Sequence, residues 1–155
     1  MRFEEATEEA KGILQEVRSE SFHELVNANI LLLFDTKKRL SNGKIVLGRM
    51  QKTNDLLRHL TIDESHDEEG YDFIMFLDKV AFENTTKEDR VRIIRHELCH
   101  AFVDLEADKP YKLVPHDIED FVEEIERNKD DVRWGERVAD LTLTIYEQQS
   151  DMNAE

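Results

Sequence analysis

The strongest constraint on the fold is a segment that begins with a helix-capping sequence and continues with apolar residues at helical spacing. Residues 85–89 place a hydroxyl three positions before a carboxylate, as helix-capping sequences do. Apolar residues then recur every three or four positions: Val91, Ile94, Leu98 and Ala101. This pattern predicts one helix over 87–104 with its apolar face directed into a core.

The second half of this helix carries two histidines four residues apart, in His96-Glu97-Leu98-Cys99-His100. Side chains at this spacing share one face of a helix, with β-carbons about 6 Å apart, so both imidazoles can bind one metal ion. Glu97 is rotated by about 100° from His96, which places its carboxylate beside the metal and outside its ligand set. The motif therefore predicts a Zn²⁺ site with His96 and His100 as ligands and Glu97 as the general base.

A catalytic zinc site uses three protein ligands and keeps one position open. The first choice for the third ligand is His116, which follows His100 by one proline-bounded loop and lies at the predicted start of the next helix. Glu136, on a later predicted helix, is the main alternative, and Glu106 is another. These alternatives stay open at the level of the sequence.

Several neighbouring residues are candidates for supporting roles. Ligating histidines usually donate their second N–H to a carboxylate or a carbonyl, and the nearby carboxylates are Asp104, Asp117 and Asp120. The last two are equally explained by the preference of a helix N-terminus for acidic residues. We interpret Cys99 as a small apolar residue of the core. The sequence does not choose among three candidates for stabilising an oxyanion: Tyr111, Tyr146 and Arg133.

Outside the motif, the chain alternates between helical and extended patterns. Apolar spacing predicts helices over 3–18, 117–128 and 131–147, and a short helix over 53–60. Two antiparallel strands are predicted over 29–50, on either side of a segment that contains the turn-forming pair Asn42-Gly43. The acidic segment 62–70 is predicted to be an exposed loop, and Tyr71–Asp78 a strand with an edge where an extended peptide could pair.

These elements predict an α+β fold. An N-terminal helix and a small sheet of about three strands would pack on the helix that carries the motif, and two helices would follow. The chain has 155 residues, with no internal repeat and no change of composition that would mark a linker. Residues 1–155 are therefore expected to form a single domain.

The composition restricts the partners and the compartment. The formal net charge is −15, from 21 basic and 36 acidic residues, and no stripe of Lys and Arg is available for a phosphate backbone, so nucleic acid is not expected as a partner. The longest apolar run has five residues, which predicts no membrane span. A single cysteine and an acidic N-terminus that does not look like a signal peptide favour the cytoplasm.

Two segments together resemble the putative phage metallopeptidase family. They are Arg95–Ala101, which contains the His-Glu motif, and Val114–Phe121, which reads V-P-H-D-I-E-D-F. The predicted strands near 30–35 and 72–77 match the same layout, so the resemblance covers roughly 25–128. It implies a minimal zincin-like α+β domain with an H-E-x-x-H motif and a downstream H-D-x-x-D-F element, and it supports a zinc site.

We consider three functions from different classes. The main hypothesis is a zinc-dependent peptidase that hydrolyses peptide bonds. The first alternative is a catalytically inactive zinc-binding interaction protein of the same fold, although metal binding alone does not require Glu97. The second is a metal-free acidic protein that binds a basic partner. A peptidase would favour basic substrates if carboxylates within 117–126 border the site. The oligomeric state is not determined by the sequence.

Overall fold

The structure is a computed structural model that describes residues 1–65, 69–104, 106, 110–115 and 122–154. Over these residues the protein is a mixed α+β chain. It contains one four-stranded sheet, two two-stranded sheets and six α-helices, with one short 3-10 helix at His23–Leu25. The predicted fold class is therefore confirmed at the level of α+β.

The central sheet combines one parallel pair with two antiparallel edges. Its strands, in chain order, are β1 (Phe3–Glu5), β2 (Ile30–Asp35), β5 (Gly48–Lys52) and β6 (Phe73–Asp78). Their spatial order is β1-β2-β6-β5; β2 and β6 run parallel, and β1 and β5 are antiparallel to their neighbours. Because β6 is fully buried between two strands, the prediction that it offers an edge to a peptide is wrong. Among the described strands, β5 is the edge on that side.

The segment between β2 and β5 forms a small hairpin of its own. β3 (Leu40–Ser41) and β4 (Lys44–Ile45) pair antiparallel around Asn42 and Gly43. Both turn residues have positive φ, 51° and 77°, as the predicted tight turn requires. The predicted antiparallel pairing of β2 with β5 is wrong, however, because β6 lies between these two strands.

Several helices begin at a side-chain cap, and their bounds differ from the predictions. Their bounds are α1 (Glu8–Ser21), α2 (Asp55–Ser65), α3 (Lys79–Glu83), α4 (Lys87–Leu98), α5 (Val122–Arg127) and α6 (Trp134–Ala154). The first helix starts after Thr7, whose Oγ1 accepts a hydrogen bond from the Ala10 N–H at 3.3 Å, so residues 3–5 are left to form β1. The start predicted for α5 lies outside the described residues.

The helix that carries the motif is shorter than predicted. Thr86 caps α4 by accepting a hydrogen bond from the Asp89 N–H at 3.2 Å, as expected. The helix ends at Leu98 instead of residue 104, because β7 (Ala101–Val103) pairs with β8 (Tyr111–Leu113) in an antiparallel hairpin. The backbone groups that a longer helix would have used are thereby satisfied by the hairpin.

The core lies between the sheet and the two helices α1 and α4. Apolar side chains of α1, at helical spacing, face α4 and the strands: Ala10, Ile13, Leu14 and Val17. On α4, Ile93, Ile94 and Leu98 are almost completely buried against them. This packing holds the last turn of α4 beneath β5. No helix in the described part of the chain is both long and apolar enough to cross a membrane.

Candidate metal and catalytic site

The two histidines of the motif lie side by side at the end of α4. Their ring centroids are 5.6 Å apart and their planes are inclined by 73°. His100 follows the last helical residue by two positions, but the chain continues to turn: the Cys99 N–H donates to the Arg95 carbonyl at 3.2 Å and the His100 N–H to the Glu97 carbonyl at 3.1 Å. The helical spacing of the two imidazoles is therefore kept beyond the end of the helix.

The β7–β8 hairpin orients His100. Its Nδ1 lies 2.7 Å from the Val114 carbonyl oxygen, and the Val114 N–H donates to the His100 carbonyl at 2.7 Å. A carbonyl oxygen can only accept, so the proton of a neutral ring is on Nδ1 and the lone pair is on Nε2. This is the tautomer of a histidine that binds a metal through Nε2.

Glu97 is buried between α4 and the beginning of β5. Its side chain is almost inaccessible, and this burial raises the pKa of the carboxyl to about 8 in the metal-free chain. A divalent cation beside it would lower that pKa again. Gly48 leaves room for this carboxylate, since a β-carbon at position 48 would be 2.9 Å from the Glu97 Cγ.

The motif faces a cleft of about 710 Å³. His96, Glu97 and His100 line it together with the segment 44–50, which contains β4 and the first half of β5. Further lining residues come from α5, from β8, from the first turn of α6 and from the two residues that precede α6, Val132 and Arg133. A volume of this size is in the range of small-molecule and peptide sites.

A family model described as putative phage metallopeptidase matches residues 1–146 of the chain. The chain belongs to this family. The match is longer than the similarity recognised in the sequence motifs, and it includes α1 and most of α6. A search of curated proteins and a search of solved structures found no match.

Membership of a metallopeptidase family implies a metal ion, and the donors at the motif suit one. His96 and His100 offer two adjacent imidazoles, and the contact of His100 Nδ1 with the Val114 carbonyl leaves the Nε2 lone pair of a neutral ring for a metal. Within the described ranges, no three side chains of His, Cys, Asp or Glu converge on one point. His116, the predicted third ligand, lies outside those ranges, as do Asp117 and Asp120.

Of the two alternatives to His116, one has an ion-pair partner and the other is an exposed residue. Glu136 lines the cleft, but its Oε2 pairs with the Arg133 guanidinium at 2.6 Å. Glu106 is exposed, and its backbone N–H donates to the Asp104 Oδ1 at 3.1 Å. The Val114 carbonyl occupies the position on His100 Nδ1 for which Asp104 was a candidate.

Of the residues predicted to have supporting roles, some line the cleft and others make contacts elsewhere. Of the three oxyanion candidates, Arg133 lines the cleft beside the motif. The Tyr146 hydroxyl instead donates to Asp78 at 2.6 Å, and the Tyr111 ring packs edge-on against Phe73. Cys99 is half-buried, and burial raises the pKa of its thiol, which suits the interpretation as a packing residue.

Sequence reasoning missed a set of ion pairs that joins α4 to the wall of the cleft. Asp89 is 1% exposed and accepts hydrogen bonds from Arg92 at 2.9 Å and from Arg137 at 2.9 and 2.7 Å. Glu124 is fully buried and accepts from Arg95 at 2.7 Å and Arg127 at 3.0 Å. The available signal was the arginines at 92 and 95, on the same helix as the motif.

Proposed function

We propose that the chain is a zinc-dependent peptidase with a zincin-like fold, in which Zn²⁺ is held by His96, His100 and His116 and Glu97 is the general base. The observation that carries the proposal is the joint arrangement of the motif: two adjacent imidazoles, a fixed tautomer on His100, and a buried carboxylate beside them, all facing one cleft. Family membership supports the same reaction class.

The path of the chain supports His116 as the third ligand. Val114 is hydrogen-bonded to His100 through both its N–H and its carbonyl, so β8 returns the chain to the motif. Two peptide units separate Val114 from His116, and they span at most about 7.6 Å between α-carbons. Position 116 is therefore no farther than this from the Val114 α-carbon, which supports an imidazole there as the third ligand.

When bound, Zn²⁺ would lower the pKa of a water molecule and polarise the scissile carbonyl. The protein supplies the proton transfer: Glu97 accepts the proton of the attacking water and later donates it to the nitrogen of the leaving amine. Its burial keeps bulk water away from that carboxylate. Of the three oxyanion candidates, Arg133 is the one that lines the cleft, and its guanidinium carries a permanent positive charge.

The substrate we propose is an extended peptide. β5 is an edge strand, and its first residue, Gly48, lies against Glu97. A peptide that pairs with β5 would therefore have its backbone beside the general base. The preference for basic peptides depends on carboxylates within 117–126, of which 117–121 are outside the described residues, and it stays a prediction. We also propose a cytoplasmic location, without nucleic-acid or membrane partners, from the single cysteine and the charge.

The metal content tests the site directly. We expect close to one Zn²⁺ per chain by elemental analysis after zinc exposure, and loss of most of the bound zinc in His100→Ala and His116→Ala. His23→Ala is the matched control, because His23 is exposed on the 3-10 helix and belongs to a His-Glu-Leu segment with Asn27 at the position of the second histidine. A wild-type chain that takes up no zinc would refute the proposal.

Hydrolysis separates the enzyme from the inactive zinc-binding alternative. Glu97→Gln should retain zinc and the folded state but lose about 10²–10⁴-fold in the rate of peptide cleavage, because an amide cannot accept the proton. Cleavage of a mixed peptide library, followed by mass spectrometry, is the measurement. Equal cleavage by both proteins would exclude Glu97 as the base, and no cleavage by the zinc-loaded wild type would favour the alternative.

A further inference from the structure

Four apolar side chains, which we call the apolar wall, line the cleft in a part of the chain that is otherwise strongly charged. Its side chains come from α4, α5 and the segment that leads into α6: Ile93, Ile125, Val132 and Trp134. Val132 is 66% exposed, whereas Ile93 and Trp134 are almost completely buried. The neighbours of Val132 in sequence, Asp130, Asp131 and Arg133, are all charged.

A single exposed valine is ordinary on a protein surface. Here the exposed side chain shares a concave surface with two buried apolar residues, and the metal-binding motif lines the same cleft. An apolar ligand group that entered this concavity would remove Val132 from water and would contact Trp134.

Ion pairs hold this wall in position. Arg92 of α4 binds Asp130 at 2.6 Å, and Arg137 of α6 binds Asp131 at 2.8 Å and Asp89 of α4 at 2.7 Å. The Asp131 N–H donates to the Asn128 carbonyl at 2.9 Å. The segment that carries Val132 is therefore fixed on both sides, so a ligand would bind a preformed surface with little loss of conformational entropy.

From this geometry we infer that Ile93, Ile125, Val132 and Trp134 form a specificity subsite that takes one bulky apolar side chain, aromatic or leucine-like, of a peptide bound in the cleft. The inference rests on the proposed function only for the identity of the ligand as a peptide. The four side chains of this wall are apolar, so an acidic side chain placed among them would lose its hydration without gaining a hydrogen bond from them. A small side chain such as alanine would leave the concavity unfilled.

Trp134 provides a direct readout of occupancy, because it is the single tryptophan of the chain. We would titrate zinc-loaded Glu97→Gln protein, which should bind without cleavage, with tryptophan-free peptides that differ at one position. Each position of a short peptide would be varied among Phe, Leu, Ala and Asp, and tryptophan emission would be followed. At one position we expect Phe and Leu to bind at least tenfold more tightly than Ala or Asp. Equal affinities at every position would overturn the inference.

Matched variants locate the effect. Val132→Asp should abolish the preference for Phe over Ala, while Val26→Asp should leave it unchanged, since Val26 is an exposed valine outside the cleft, at the end of the 3-10 helix. Circular dichroism of both variants checks that they are folded. If the preference for Phe survives in both Val132→Asp and Ile125→Ala, the apolar wall is not the subsite.

The two proposals can fail separately. Selective binding of Phe and Leu peptides by a wild-type protein that cleaves none of them would refute the peptidase and support the subsite. Cleavage without any preference for an apolar side chain would support the peptidase and refute the subsite.

Discussion

The two sides of α4 are held by different forces. Toward α1 and the sheet, the contacts are apolar: Ile94 and Leu98 have no exposed surface. Toward α5 and α6, ion pairs join the apolar contacts: Asp89, Arg92 and Arg95 each bind a partner across the interface. The motif residues at the end of the helix lie between these two regions.

The difference has consequences for what each side controls. Apolar packing is non-directional and supplies most of the folding free energy, so the core side determines whether α4 is formed and docked. Ion pairs depend on direction and on both partners, and a buried charge that loses its partner is costly. The ionic side therefore determines where the cleft wall stands relative to the motif, at a smaller gain in stability.

The largest effect is expected from a truncation on the core side. Ile94→Ala should lower the free energy of unfolding by about 4 kcal/mol, because it removes buried methyl groups and leaves a cavity. Urea denaturation followed by circular dichroism is the measurement. Leu60→Ala on α2 is the control, since Leu60 is 65% exposed and its loss should change stability by less than about 0.5 kcal/mol. Equal losses in the two variants would contradict the assignment of Ile94 to the core.

A smaller effect, with a pH dependence, is expected on the ionic side. Burial alone would raise the pKa of Asp89, but hydrogen bonds from Arg137 and Arg92 outweigh it and hold the pKa below its usual value. The ionised carboxylate therefore stabilises the fold above the unfolded pKa of about 4, and this contribution is lost as the pH falls through the folded pKa. Asp89→Asn should cost about 2 kcal/mol at pH 7.

Urea denaturation of both proteins between pH 7 and pH 3 tests this sign. The gap between wild type and Asp89→Asn should be constant near neutral pH and should shrink below about pH 4. A gap that widens in acid would show that burial, and not the two arginines, dominates at Asp89.

The smallest effect on stability, with a clear effect on the site, is expected at Gly48. A β-carbon there would lie 2.9 Å from the Glu97 Cγ and 3.1 Å from its Oε1, so Gly48→Ala must displace the carboxylate. We expect a change in stability of about 1 kcal/mol or less and at least a tenfold loss of peptide cleavage. Gly12→Ala in α1 is the control, because nothing lies within 4 Å of a β-carbon at that position. Unchanged cleavage in Gly48→Ala would mean that Glu97 tolerates the shift.

The local features of α4 were predictable from the sequence because they depend on neighbours in the chain. Thr86 caps the helix, and the four-residue spacing of His96 and His100 brings their rings together. The Asn42-Gly43 turn and the strand β6 followed from the same kind of local pattern. Each of these features requires only the conformational preferences of a few consecutive residues.

The sheet order could not be predicted in this way. β6 pairs with β2 and β5 from a distant part of the chain, and the residues 3–5 that looked helical join as β1. The hairpin that ends α4 at Leu98 depends on β8, which begins ten residues after the start of β7. Strand pairing is chosen by the shared burial of several elements, which no single segment encodes.

The sequence by itself determined the chemistry at the end of α4: two imidazoles four residues apart, with a carboxylate between them. Only the tertiary structure decided how that chemistry is oriented. The Val114 carbonyl selects the His100 tautomer, and Gly48 provides the space for Glu97. Every residue has a backbone carbonyl, and a glycine contributes no side chain. Neither contact can therefore be recognised from the residue types in the sequence. They exist because the hairpin and the edge strand are folded against the same turn of helix.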